Sequence, residues 1–343
     1  MALYESVVPA RYTARLLALL REQGDAAAAA VLAEAGSDPH SLADPDFLLD
    51  FERFEALFTG LARLTGRGDL GFELGLAITR ESHGALGLAL SRCTSIAGVL
   101  QLAARHSRLM TPSFAIRFQR DADGGELLWR PAAGMSTAML HAFHDIHVVS
   151  LYRVLDEALD GRPLRYRVTI PTARPRHAGR YRELPGLDVR FASRPLPEVQ
   201  TRFDAALLDQ PLRAGGRRTG DAPDSEALDA LGRRHPRSHQ WGDWLQLMLR
   251  EADGVQPTQA EMAKLLNVSA HTLARSLARE GRQYRQIAVA VRHARACELL
   301  SRSRLSLAQI AQRLGYGDSS NFIHAFRRQA GIGPAAWRRQ VAR

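Results

Sequence analysis

Residues 271–279, HTLARSLAR, and 320–328, SNFIHAFRR, set histidine, asparagine and arginine around pairs of apolar residues four apart: Leu273 with Leu277, and Phe322 with Phe326. These are side chains that read nucleic acid. A guanidinium offers two parallel N–H donors that match O6 and N7 of guanine, and asparagine and histidine match other base edges in the major groove. If each stretch is a helix with its apolar pair inward, His271, Thr272, Ala274, Arg275 and Arg279 face outward in the first. Ser320, Asn321, His324, Arg327 and Arg328 do so in the second. Arg275 is expected to take a guanine, with His271, Asn321 and His324 as lesser base readers. Arg279, Arg327 and Arg328, joined by the Thr272 hydroxyl, are expected to hold phosphates, which give affinity without sequence information.

The elements that must position them are visible as a repeat. AKLLNVSAHTLARSLAREG and AQRLGYGDSSNFIHAFRRQAG align Ala263 with Ala311, Leu266 with Leu314, Leu273 with Phe322 and Leu277 with Phe326, with one extra residue in the second turn. Each reads as a short helix, a turn at Asn267 or Gly315 where positive φ is tolerated, an N-cap at Ser269 or Asp318, and a second helix. That is a helix-turn-helix, whose second helix enters the major groove. The helices are expected over 241–251, 258–266, 269–280, 283–300, 307–314 and 318–329, with a closing turn from Pro334. The joining helix 283–300 would span roughly 27 Å, which with its turns could hold two readers about one DNA turn, near 34 Å, apart.

Charge points the same way. The net +10 is not spread evenly: residues 1–234 balance 29 basic against 29 acidic side chains, whereas 235–343 carry 17 against 7. A basic region alone would also suit a membrane surface or an acidic protein, so it supports the repeat rather than replacing it. The apolar share of 45% is that of an ordinary globular chain of two or three domains, and no apolar run approaches the roughly 20 residues of a membrane span. The opening residues carry Glu5, Arg11 and Arg15 where a secretory signal needs an apolar segment, so a cytoplasmic protein is expected. Two cysteines, Cys93 and Cys297, exclude a disulfide framework.

Upstream, helices are expected over 10–32, 47–64, 70–78, 96–109 and 136–159. SFAIRFQRDADGGELLWR alternates Phe114, Ile116 and Phe118, turns at DADGG and resumes with Leu127 and Trp129, a β-hairpin. LRYRVTI and LDVRF read as further strands. The expected architecture is an α+β domain, helices on an antiparallel sheet, over 1–212, a linker over 213–235, and an all-α domain with two helix-turn-helix motifs joined by a long helix over 236–343.

Residues 235–343 resemble the DNA-binding domain of the AraC/XylS family of bacterial transcription regulators. LAQIAQRLGYGDSSNFIHAFRRQAGIGPAAWRR, 307–339, carries the likeness: an Ile-Ala pair, Leu-Gly-Tyr, Phe-x-x-x-Phe and a late Gly-x-x-Pro. The resemblance implies base contacts from His271, Ala274, Arg275, Ser320, Asn321 and His324, with double-stranded DNA and RNA polymerase as partners. Three positions depart from the family's habit: His324 where Arg or Lys is frequent, Ala274 where a longer polar side chain is usual, and Gly333 where Ser often precedes Pro334. Over 15–212 the chain is similar to the effector domain of the ornithine-utilisation-regulator-like subgroup. This implies a ligand-sensing or dimerising domain, with the effector's identity unknown and a homodimer expected, and no cupin barrel; the whole chain is expected to be an activator.

Other patterns carry less. GRGDLG, 66–71, satisfies G-x-G-x-x-G, but a helix rather than a strand precedes it, so it reads as a turn and not as a nucleotide site. HAFHDIH places His141, His144 and His147 three apart, a spacing whose imidazoles converge poorly on a metal; packing or a ligand pocket are the other readings. No G-x-S-x-G, P-loop or H-E-x-x-H occurs, and neither an enzyme nor a cofactor is expected. A DNA-repair alkyltransferase can share the DNA-binding module, but neither SRCTS nor RACELL supplies a Pro-Cys-His context. A non-specific architectural DNA-binding protein, and a regulator whose first domain only dimerises, stay open.

Overall fold

The computed structural model describes residues 7–212, 225–232 and 240–341. The chain divides into two compact units, one within Tyr4–Ala192 and Glu198–Ser238, the other built on His239–Arg343.

The first unit opens with β1 (Val7–Pro9), paired antiparallel to β2 (Leu48–Asp50). Between them lie α1 (Ala14–Glu22) and α2 (Asp25–Glu34). The continuous helix expected over 10–32 is broken because Gly24 turns the chain at φ 100°, a conformation glycine alone adopts freely. Next come α3 (Phe51–Thr65), α4 (Leu70–Ala77), α5 (Ala85–Leu90) and α6 (Ile96–Arg105). The Asp50 carboxylate accepts from Arg53 N to cap α3, so residues 48–50 pair as strand where helix was expected from 47. The GRGDLG stretch joins α3 to α4, with Gly66 in the left-handed region ending α3.

The hairpin forms in the expected register. β3 (Phe114–Asp121) and β4 (Gly124–Pro131) set Ile116 opposite Trp129 and Phe118 opposite Leu127. Then α7 (Thr137–Leu159), capped by Ser136 Oγ on Met139 N, runs 23 residues. β5 (Tyr166–Ile170), β6 (Leu187–Phe191) and β7 (Val199–Asp204) complete a five-stranded sheet of order β3-β4-β7-β5-β6. Two features differ from expectation. β7 was not anticipated, although Val199, Thr201 and Phe203 alternate inward at 0, 1 and 0% exposure. β5 and β6 run parallel, so the sheet is antiparallel at every pairing but one. After α8 (Ala205–Leu208), α9 (Ser225–Gly232) lies inside the segment expected as linker, held because Leu228 enters the first unit's core. The rest of that linker, 213–224 and 233–235, lies outside the described residues.

Helix α7 is buried nearly all round, between the hairpin and α4. The approach of α4 requires glycine: a Cβ on Gly71 would lie 2.5 Å from the Ala142 carbonyl oxygen, and one on Gly75 2.7 Å from Val149 Cβ.

The second unit is all helix: α10 (Trp241–Glu251), α11 (Gln259–Leu265), α12 (Ala270–Arg279), α13 (Tyr284–Arg302), α14 (Leu307–Arg313), α15 (Ser319–Ala330) and α16 (Pro334–Val341). Its apolar side chains form two separate clusters. One gathers α10, α11 and α12 on Ile287, Ala288 and Val291 of α13; the other gathers α14 and α15 on Ala296 and Leu300. One helix thus braces both halves.

Candidate nucleic-acid interface

Both repeats close on the residues that the alignment pairs. Ala263, Leu266, Leu273 and Leu277 are each at most 1% exposed, and Ala311, Leu314, Phe322 and Phe326 at most 3%. The turns behave as their residues dictate, with Asn267 at φ 56° and Gly315 at φ 75°. The leading helix of each pair starts with a capping box. Thr258 and Glu261 bond reciprocally ahead of α11, and Ser306 and Gln309 do so ahead of α14. The S/T-x-x-E/Q spacing in TQAE and SLAQ is the sequence signature of both, and neither cap was among those expected.

The second helix of each pair is capped too, and here the cap reaches a residue expected to contact DNA. Ser269 Oγ accepts from Thr272 N at 3.0 Å and lies 2.9 Å from the Thr272 hydroxyl. Asp318 accepts from Asn321 N at 2.7 Å and, through its other oxygen, from Asn321 Nδ2 at 2.8 Å. The Asn321 amide is therefore held in one orientation, with its carbonyl oxygen and second N–H left over for another partner.

His271, Ala274, Arg275 and Arg279 on α12 are exposed, as are Ser320, Asn321, His324, Arg327 and Arg328 on α15. Thr272 is half-buried and shares its hydroxyl with Ser269. Each helix thus presents one polar and basic face, opposite the buried Leu or Phe pair.

Several contacts fix these helices to the brace. Glu280, just after α12, accepts at 2.8 Å from both Trp241 N and Gly242 N, placing a carboxylate at the amino end of α10 where the helix dipole favours it. Arg282 pairs with Asp243 at 2.6 Å. Arg292 of α13 spans the two repeats: it donates to Gln256 Oε1 at 2.7 Å and lies over the Tyr316 ring at 5.4 Å. His293 packs on Phe326 with ring centres 4.9 Å apart, and burial lowers its pKa. Arg338 of α16 donates to the Leu300 and Leu305 carbonyls, closing the second half. At 19 residues α13 is about 28 Å long.

The histidine run of α7 does not gather. His147 stacks on Trp129 at 4.4 Å, His144 is 1% exposed, His141 is exposed, and no cluster able to hold a metal occurs among the described residues.

Paired helix-turn-helix motifs on a shared helix, presenting two polar faces, define a DNA-binding protein, and here it is joined to an α+β unit. The "Arabinose-binding domain of AraC transcription regulator, N-term" matches residues 26–212, and a "Helix-turn-helix domain" matches 262–340. The chain belongs to the AraC family of transcription regulators. It is 27% identical to the ornithine utilization regulator of Pseudomonas aeruginosa over 97% of this chain and 96% of that one. It is 26% identical to an uncharacterized HTH-type transcriptional regulator of Mycobacterium tuberculosis, over 96% of each. Among solved structures it is similar to the transcriptional regulator CdpR of Pseudomonas aeruginosa, at 24% identity and a TM-score of 0.41, covering 91% of this chain and 96% of that one. No helix among the described residues is long and apolar enough to cross a membrane.

Proposed function

We propose that this chain is a cytoplasmic, sequence-specific activator of transcription that reads two adjacent major-groove segments and answers to a small-molecule effector. The observation that carries this reading is the pair of exposed faces on α12 and α15, each backed by a buried apolar pair and tied to one helix. His271, Ala274, Arg275, Ser320, Asn321 and His324 meet base edges; Arg279, Arg327 and Arg328 meet phosphates, with Thr272 contributing its hydroxyl where Ser269 leaves it free. Residues 1–212, with α9 packed against them, sense the effector and dimerise, the rest of 213–235 links, and 236–343 bind DNA and present a surface to RNA polymerase.

The test is competition between genomic DNA fragments for the full chain across a range of salt, followed by footprinting of the retained fragments. Two protected major-groove segments on one face of the duplex, about one turn apart, are expected. Equal retention of all fragments would instead make it an architectural protein.

A further inference from the structure

The first unit contains a cavity of about 80 Å³ between the β3–β4 hairpin, α6 and α7. Its wall is almost wholly apolar, with Phe54, Leu100, Ile116, Leu127 and Phe143 prominent, and among the described residues no Asp, Glu, Lys or Arg lines it. Set in this wall is the imidazole of His147, 4% exposed, stacked on Trp129 and meeting the edge of Phe114. Its ring makes no hydrogen bond among the described residues: Nδ1 is fully enclosed without a partner, and Nε2, which is not enclosed to that degree, is the nitrogen a molecule in the cavity can reach. An unmet polar group of this kind is costly, and such groups in native proteins call for an explanation. The other polar side chains of the wall are Thr111, Ser150, Tyr12 and His83: Ser150 Oγ spends its proton on the His147 carbonyl at 3.3 Å, and the Tyr12 hydroxyl meets His83 Nδ1 at 2.8 Å.

From this wall we infer that the cavity is the effector site, and that the effector is an uncharged, mainly aliphatic small molecule whose single hydroxyl or carbonyl oxygen bonds the His147 ring. The inference rests on reading the first unit as effector-sensing. An ammonium or carboxylate entering this wall would meet no charged lining residue, since Arg11, whose charge is felt by Tyr12 and His83, is already paired with Asp46 at 3.1 Å, and a buried unpaired ion costs far more than a hydrogen bond returns. A sugar, with a hydroxyl on nearly every carbon, would leave most of them unmet. Size narrows the class further. An engineered apolar cavity of roughly 150 Å³ admits benzene, so a space of about half that volume, not sealed from solvent, takes the head group and first carbons of a narrow chain before a ring.

The experiment titrates the full-length protein with hexan-1-ol, hexanoate and hexylamine, three molecules with one chain and different head groups, and with L-ornithine and L-arabinose, reading heat and the thermal midpoint. Hexan-1-ol should bind saturably and raise the midpoint, and the other four should do neither over the same range. His147→Phe, which keeps a flat ring against Trp129, should weaken hexan-1-ol about three- to tenfold. Ala103→Phe, grown from a half-buried position in the wall on α6, should abolish binding without requiring the core to yield. Binding of hexanoate or hexylamine as tight as that of the alcohol overturns the uncharged class. Alcohol binding that survives Ala103→Phe overturns the site. DNA binding measured alongside separates the two readings: hexan-1-ol that binds and leaves operator affinity unchanged sinks the effector role of the cavity. Operator affinity that responds to ornithine or arabinose equally in wild type and Ala103→Phe sinks the cavity as effector site while the sensing reading stands.

Discussion

Replacing Arg275 by alanine separates base reading from charge attraction. Arg275 is exposed on α12 and one helical turn before Arg279, also exposed, so removing either leaves no buried group unpaired. Folding stability should therefore move by less than about 0.5 kcal/mol. If Arg275 holds O6 and N7 of one guanine, its loss costs about 1–3 kcal/mol on the preferred operator, a factor of roughly 5 to 150. On operators already changed at that base pair it should cost much less. Arg279, one turn further along and assigned to phosphate, should behave in the opposite manner. Arg279→Ala weakens every sequence alike and lowers the slope of log affinity against log salt by about 0.9, the release belonging to one phosphate. The assay is fluorescence anisotropy with the footprinted operator and its single-base variants at three or more salt concentrations. Uniform weakening by Arg275→Ala, accompanied by a reduced salt slope, would refute the assignment and make Arg275 a phosphate contact.

Further outcomes follow from other contacts. Gly71→Ala drives a methyl to 2.5 Å from the Ala142 carbonyl oxygen, so α4 and α7 must separate; urea unfolding should show the first unit weakened by about 1–3 kcal/mol. Asp318→Ala removes the α15 cap and the anchor of the Asn321 amide. It should cost about 1 kcal/mol of stability and blur base preference in the second half-site alone, as selection from a randomised operator would reveal. Acid should weaken the first unit. Burial pushes His147 down to about 3, and burial followed by the Arg11 charge pushes His83 down to about 4. Both rings therefore stay neutral in the fold but take up protons in the unfolded chain below about pH 6.5. Stability should fall as pH drops from about 6.5 toward 4, most steeply near pH 5, where each ring contributes on the order of 1 kcal/mol per pH unit. His147→Phe should remove one ring's share of that slope, and an unchanged slope would mean His147 is not the source. His177 works against this trend: its bond to Asp145 raises its pKa, so its contribution holds below about 6.5 and fades as pH climbs through the raised value.

The second unit was legible because its signals are local. Leu273 with Leu277, and Phe322 with Phe326, stand one turn apart, and Asn267 and Gly315 mark turns that need positive φ, so a short window of sequence contains the whole argument. The first unit depends on pairings between distant segments. β7 lies beyond β5 and β6 in the chain but inserts between β4 and β5, and nothing in PEVQTRFD names those neighbours. Nor does the hydrophobic pattern separate a parallel β5–β6 pair from an antiparallel one, because inward and outward alternation is the same for both. The break at Gly24 was missed because the alanine run beyond it favours helix wherever a helix begins. The cavity was less legible still. His147 comes from α7, Trp129 from β4 and Leu100 from α6, and only their packing shows that an imidazole without a hydrogen bond stands in a mainly apolar wall.

Duplication within one chain also changes what the DNA site can look like. A dimer of identical readers meets two equivalent half-sites because its two reading faces are the same residues. Here the faces have diverged while the buried frame has not. The frame keeps apolar residues at Leu273 and Phe322 and at Leu277 and Phe326, with a cap at Ser269 and at Asp318, whereas the exposed sets pair a long guanidinium at Arg275 with a short imidazole at His324. Packing constrains the first group, since a change there opens a cavity or forces an overlap costing several kcal/mol. Exposure frees the second, where substitutions alter recognition without touching the core. Because each half has its own apolar cluster and shares only α13, the two readers can change independently while the brace keeps their separation. If the exposed residues read bases as proposed, the DNA site that fits such a chain is a direct, asymmetric pair of unlike half-sites, the first richer in guanine contacts than the second.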